Sequence, residues 1–160
     1  MRAWSKVVAA VVVASGSLTG AVAQAHPMEE TGQQGWCERT FDAAQRADME
    51  SFRDFDATTW RAGHASYAVS IFPTGQMYVG IEAIMKAAER HFTAKDAVWS
   101  WTELSRHVDG CKTAFVVYDA TYDIPRYGYH QRAITTVSYV FDRGHWRSTT
   151  DQGTLLEKSN

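Results

Sequence analysis

Residues 80–92, GIEAIMKAAERHF, carry the strongest helical signal in the chain, and the neighbouring elements can be placed outward from them. Ile81, Ile84, Met85, Ala88 and Phe92 fall at i, i+3, i+4, i+7 and i+11, which puts them on one face of a helix. Gly80 precedes this run. Glu82 sits in its first turn, and Arg90, His91 and Lys95 near its end, the order that the helix dipole favours.

Everything after this helix reads as strand and turn. Val98 to Val108 is a strand, and Asp109-Gly110 is a hairpin turn signal. Thr113 to Ile124 is a second strand, stopped by Pro125 and the turn around Gly128. Tyr129 to Phe141 is a third. Asp142-Arg143-Gly144 turns the chain into a fourth, from His145 to Gln152. Short turns between long adjacent strands predict an antiparallel meander.

Before the helix, Tyr67 to Phe72 is rich in β-branched and aromatic residues, Pro73-Thr74-Gly75 is a turn, and Met77 to Val79 returns. Together they predict a small hairpin. Trp60 to His64 reads as an irregular helical turn ended by Gly63. Cys37, Phe41, Ala44, Asp48, Phe52 and Phe55 keep spacings of three and four, which predicts a helix over 36–47 and a further turn or two through Phe55. Asp48 is the odd member of that stripe. Either the stripe breaks there at a kink, or Asp48 caps the second piece.

The first 35 residues have a different character. Arg2 and Lys6 make a basic start, Val7 to Val13 an apolar run, and Ala23-Gln24-Ala25 a small-x-small cleavage site. That is the three-part pattern of a secretory signal peptide, residues 1–25. The apolar run is shorter than the roughly 20 residues that span a bilayer. Residues 26–35, HPMEETGQQG, read as a flexible leader, and 36–157 as one domain, a size that can bury one core. The expected product is exported, periplasmic or secreted. Loss of Arg2 and Lys6 takes the 16 Lys and Arg to 14 against 18 Asp and Glu, a net charge of −4. An acidic balance of this kind argues against a nucleic acid partner and gives no reason to expect a membrane surface. Cys37 and Cys111 form either a disulfide, as an oxidising compartment invites, or two separate buried thiols.

The order helix, hairpin, helix, four strands predicts an α+β fold in which a curved antiparallel sheet wraps over N-terminal helices, a cystatin-like cone whose open end is a pocket. Particular residues carry a resemblance. Phe72-Pro73-Thr74-Gly75 followed by Gly80-Ile81-Glu82-Ala83-Ile84, then Asp109-Gly110 with Ala114, then Arg143-Gly144-His145-Trp146-Arg147, come in the order and spacing seen in the SnoaL-like families. The chain resembles these families, part of the nuclear transport factor 2-like superfold that includes ketosteroid isomerase-like enzymes, over most of residues 36–155. Many relatives end the last strand with a His and a Ser. Gln152 and Thr154 occupy those places here, so a role tied to that His does not transfer. Isomerases, cyclases, dehydratases and proteins without catalysis share this superfold, so the resemblance implies a pocket more than a reaction.

Strand parity then nominates side chains. Ala114, Val116, Tyr118, Ala120 and Tyr122 are assigned to the inner face, so that Tyr118 and Tyr122 either line the pocket as phenolic donors or pack in the core. On the next strand parity does not choose between the face of His130, Arg132, Ile134 and Thr136 and the face of Gln131, Ala133, Thr135, Val137 and Tyr139. His130 and Arg132 are either a rim pair for a carboxylate or enolate, or an exposed basic pair. Asp48 is a candidate general base, the alternative being the helix cap. Trp60 and Trp99 are candidates for the aromatic lining. Asp119 and Asp151 read as solvated strand residues, and Trp146 as core. The histidines show no metal-ligand spacing, no cofactor fingerprint occurs, and no metal or cofactor is expected.

Three functions fit these observations. The chain holds a small, mostly apolar molecule in the cone. Or it is an isomerase, cyclase or dehydratase that moves a proton next to a carbonyl, with Tyr118 or Tyr122 beside His130 or Asp48. Or it is a non-catalytic homodimer that pairs through an exposed patch of Trp99, Trp101 and Tyr139.

Overall fold

The structure, a computed structural model, describes residues 28–159. The expected signal peptide, residues 1–25, lies outside them. Helix α1 spans Met28–Arg53 without interruption, α2 Ala57–Ala62, strand β1 His64–Ile71 and β2 Met77–Val79. Helices α3, Ile81–Ala87, and α4, Glu89–Ala94, follow. The long strands β3, Val98–Asp109, β4, Thr113–Ile124, β5, Tyr129–Asp142, and β6, His145–Ser159, complete the chain. α1 starts inside the stretch read as a leader, and Gln34 on it donates to the Val108 carbonyl of β3. Gln34, inside the stretch read as a leader, is therefore tied to β3.

The helix expected over 81–92 is present with one break. Ala88 sits at φ −87, ψ 0 and separates α3 from α4. Gly80 takes φ +83, open to glycine and strained for other residues. It turns the hairpin into α3, and Ile81 and Ile84 are buried at once.

The six strands form one sheet in the order β2-β1-β6-β5-β4-β3. The meander β3 to β6 is antiparallel, as expected. The small hairpin is not separate: β1 lies parallel beside β6 and β2 closes that edge. Three one-residue slips in pairing leave Leu104, Thr149 and Leu156 unmatched. Each is a bulge that adds local bend and twist to the sheet.

Two packed clusters hold the layers together. Phe41 and Cys37 of α1 pack on Val116, Tyr118, Tyr139 and Trp146 of the sheet. Trp60, Ala65, Ala68, Ile84, Ala88 and Phe92 form the second cluster under α3 and α4. Cys37 is bonded to Cys111, which ties α1 to the β3–β4 turn across 74 residues of chain.

Burial settles the parity of the strands. On β4, Ala114, Val116, Tyr118 and Ala120 are buried, as assigned. On β5, Ala133, Val137 and Tyr139 are buried, so that strand presents its odd-numbered set inward. On β6 the bulge at Thr149 changes the face. Trp146 and Ser148 point inward before it, and Asp151 and Gly153 after it.

Candidate functional site

The concave side of the sheet and the helices enclose a cavity of about 390 Å3. Six aromatic rings, Phe52, Trp60, Phe72, Trp99, Tyr122 and Tyr129, are among its lining residues. Phe52 is the hub. It stacks on His91 with centroids 3.8 Å apart and planes 9° apart, and meets Trp60 and Trp99 at 5.4 Å each. The imidazole's Nε2 lies 2.7 Å from the Phe52 carbonyl. A carbonyl only accepts, so Nε2 carries the proton, and Nδ1 accepts from the Tyr122 hydroxyl at 3.1 Å. Burial lowers the pKa of His91, which favours this neutral form.

The deepest polar groups gather where α1, β1, β5 and β6 meet. Asp48 of α1 is 6% exposed, and Tyr139 of β5 donates to its Oδ2 at 2.6 Å. Burial first, and the charge of Asp48 second, hold the Tyr139 phenol far above its ordinary range. Asp151 of β6 faces the same space. Burial and the nearby Asp48 charge push its carboxyl up to about 6, while His64 and a 3.4 Å contact from the Ser70 hydroxyl oppose the shift. His64, at the start of β1, is also 6% exposed. Its Nδ1 lies 2.7 Å from the Trp60 carbonyl and must donate there. In its neutral form that leaves Nε2 as an acceptor, with no hydrogen-bond partner among the described residues.

Several expected site residues are here. Asp48, Trp60, Trp99 and Tyr122 all line the cavity. Asp48 is neither a kink nor a cap: α1 runs straight through it, and the carboxylate sits on the buried stripe. Tyr118 is placed differently. It is wholly buried beside α1, where Gln45 donates to its hydroxyl at 2.7 Å, and it is not part of the wall.

His130 and Arg132 are on the other side of the sheet. Because β5 turns Gln131 and Ala133 inward, its even-numbered neighbours point outward. Arg132 forks onto Asp119 at 2.9 and 2.7 Å, and His130 meets Asp123 at 2.6 Å. Neither reaches the cavity, which corrects their reading as ligand contacts. Asp123 is the main reason the His130 pKa is raised. The aromatic patch expected for dimerisation is likewise absent in that form. Tyr139 is 2% exposed and Trp99 faces the cavity. Gln152 and Thr154, in the places of the relatives' His and Ser, are exposed.

Asp151, His64 and Tyr139 are the inner-end residues that sequence reasoning missed. Asp151 read as solvated because the bulge that turns it inward has no signature in the sequence. His64 was seen only as the end of a helical turn.

No family model and no curated protein matches the chain by sequence. Solved structures do match it, and they show that its fold is the nuclear transport factor 2-like cone. A hexachlorocyclohexane dehydrochlorinase (LinA, type 2) superposes with a TM-score of 0.67 at 10% identity, over 81% of this chain and 91% of that one. A ketosteroid isomerase-like protein from Erwinia carotovora atroseptica gives 0.62 at 13%, over 74% and 95%. An NTF2-like protein of unknown function from Pseudomonas putida KT2440 gives 0.64 at 16%, over 77% and 89%. At these identities the likeness establishes the fold. The class contains enzymes and proteins of unknown function alike, so the reaction must be argued from the site.

Proposed function

We propose that this chain is an exported protein that holds a small, mostly apolar molecule inside the cone. The observation that carries this reading is the cavity lined by six aromatic rings with polar groups set among apolar side chains, the usual make-up of a small-molecule site. Export is supported by the signal-peptide pattern of residues 1–25 and by the Cys37–Cys111 bond, which an oxidising compartment maintains. Thermal-shift screening against compact apolar compounds is the test. Hits should raise the melting temperature of the native chain and leave Ala133→Phe unmoved, because Ala133 lines the cavity. A variant that responds equally would place binding elsewhere.

Proton-transfer catalysis is the second reading, and one observation favours it. Asp48 and His64 each offer an acceptor to the same enclosed space, beside Asp151, which near pH 6 can hold or release a proton. One of the first two would take a proton next to a carbonyl and Asp151 would return it, as in an isomerase, cyclase or dehydratase. Deuterium exchange into small ketones in D2O, followed by NMR, tests this. Exchange above the solvent background that disappears in Asp48→Asn or in His64→Gln is the expected result, and background-level exchange, or exchange that survives both substitutions, rejects catalysis of this kind.

A homodimer belongs to the same proposal, through the outer face of the sheet, where Phe115 is 39% exposed. Light scattering at high concentration should give twice the monomer mass.

A further inference from the structure

Three groups at the inner end of the cavity share one chemical property. Asp48 spends Oδ2 on Tyr139, and no donor among the described residues reaches its Oδ1. Asp151 receives only the long Ser70 contact. His64 spends its Nδ1 proton on the Trp60 carbonyl and keeps Nε2 unpartnered, though its side chain is more than nine-tenths buried. Asp48 and His64 are each 6% exposed, and unmet hydrogen-bonding capacity on such groups is costly. All three line the cavity; the two carboxylates lack donors, and so does Nε2 of His64 in the neutral imidazole.

The nearby tyrosine protons are already committed. Tyr139 donates to Asp48, Tyr122 bonds to His91, and Tyr129 donates to Gln131. Arg90, also in the lining, is committed as well: it forks onto Asp96 at 3.2 and 3.1 Å. Gln131 stands six residues along β5 from Val137, the register partner of Asp151, roughly 20 Å away on an extended strand. The inner end thus holds two carboxylates with unspent acceptor oxygens and aromatic faces in its wall, while the buried donors left unpartnered among the described residues are the Trp99 indole N–H and the Ser148 hydroxyl.

We propose that the inner end of the cavity receives one protonated amine, so that the ligand is an organic monocation with a compact apolar body. This deepens, and rests on, the reading of the cone as a small-molecule site. An ammonium brings up to three donors, which suit Asp48 Oδ1, Asp151 and His64 Nε2. Its charge offsets the mutual repulsion of the two carboxylates, and indole and phenyl faces such as those of Trp60 and Phe52 attract cations. A bare metal ion fits less well: among the described residues no group of three His, Cys, Asp or Glu side chains is arranged to hold one. A carboxylate ligand would meet the like charges of Asp48 and Asp151.

Matched triads test the inference. 2-Phenylethylamine, 2-phenylethanol and 3-phenylpropanoate, with the cyclohexyl and indolyl equivalents, are titrated into the full chain by calorimetry and NMR. The amine of each triad should bind at least tenfold tighter than the alcohol, with the carboxylate weakest. Asp48→Asn and Asp151→Asn should each remove most of that preference and leave alcohol binding in place, which also reports that the variants fold. An alcohol or carboxylate that binds as well as the amine overturns the ammonium site while the cone reading stands. Amine preference that survives both substitutions overturns its assignment to this end. Failure of every member to bind overturns both.

Discussion

Asp151 concentrates the energetics of the site in one residue. Its carboxyl is pushed up to about 6 in the fold against 3.8 as its ordinary value, so above pH 6 the folded chain carries a half-buried, poorly solvated charge that the unfolded chain solvates freely. The sign follows from linkage. An acid with a raised folded pKa favours the fold at low pH, and that advantage is lost as pH rises from 3.8 through 6. Asp151→Asn should therefore stabilise the protein at pH 7.5 by on the order of 2 kcal/mol, with most of the gain gone by pH 4. Urea denaturation at the two pH values measures this, and a loss of stability at pH 7.5 would contradict it. His91 acts in the opposite direction. Its folded pKa lies below 6.5, so its contribution is complete above that pH and is lost as the solution is acidified. An imidazole C2–H titration midpoint below 6.5 is expected. Ser148 is wholly buried, and its hydroxyl lacks a partner among the described residues. Ser148→Ala should be neutral or stabilising by up to about 1 kcal/mol in the same assay.

At the scale of elements, two tethers position the cavity walls. The Cys37–Cys111 bond closes a long loop between α1 and the β3–β4 turn. Its removal in a Cys37→Ser, Cys111→Ser double variant should cost about 2–4 kcal/mol, read as a lower urea midpoint that reductant does not lower further. The other tether is the turn at residues 72–76 against β6. A Cβ on Gly153 would lie 2.5 Å from Pro73 Cγ, so Gly153→Ala must push that turn away from the cavity wall and should cost roughly 1–3 kcal/mol. Helices and strands were legible because their signals are local. The stripe Ile81 to Phe92 and the turns at Gly110 and Gly144 each report on a few neighbouring residues. The faces of β5 and β6 were not legible. A bulge such as that at Thr149 is set by how two strands pair, and one extra residue exchanges the inner and outer sets. That single offset is why Asp151 was read as solvated, and mixed polarity on β5 is why His130 and Arg132 stayed open between a rim pair and an exposed basic pair.

At the scale of the whole molecule, the cone follows from covering one face of a strongly bent sheet with helices that do not fill it. The order of elements was enough to anticipate that architecture, including the hollow and four of its lining residues, Asp48, Trp60, Trp99 and Tyr122. The parallel placement of β1 beside β6 was out of reach, since it joins segments far apart in sequence. The molecular surface divides accordingly. Its outer sheet face pairs its charges, Arg132 with Asp119 and His130 with Asp123, whereas its interior leaves acceptors unpaired. The central claim is that the interior is the working surface. A 15N-edited NMR titration with 2-phenylethylamine tests it most directly. The indole N–H signals of Trp60 and Trp99 and the amides of Asp48, His64 and Asp151 should shift together and saturate, while those of His130 and Arg132 stay still. Shifts confined to the outer face, with the two indoles unmoved, would contradict it.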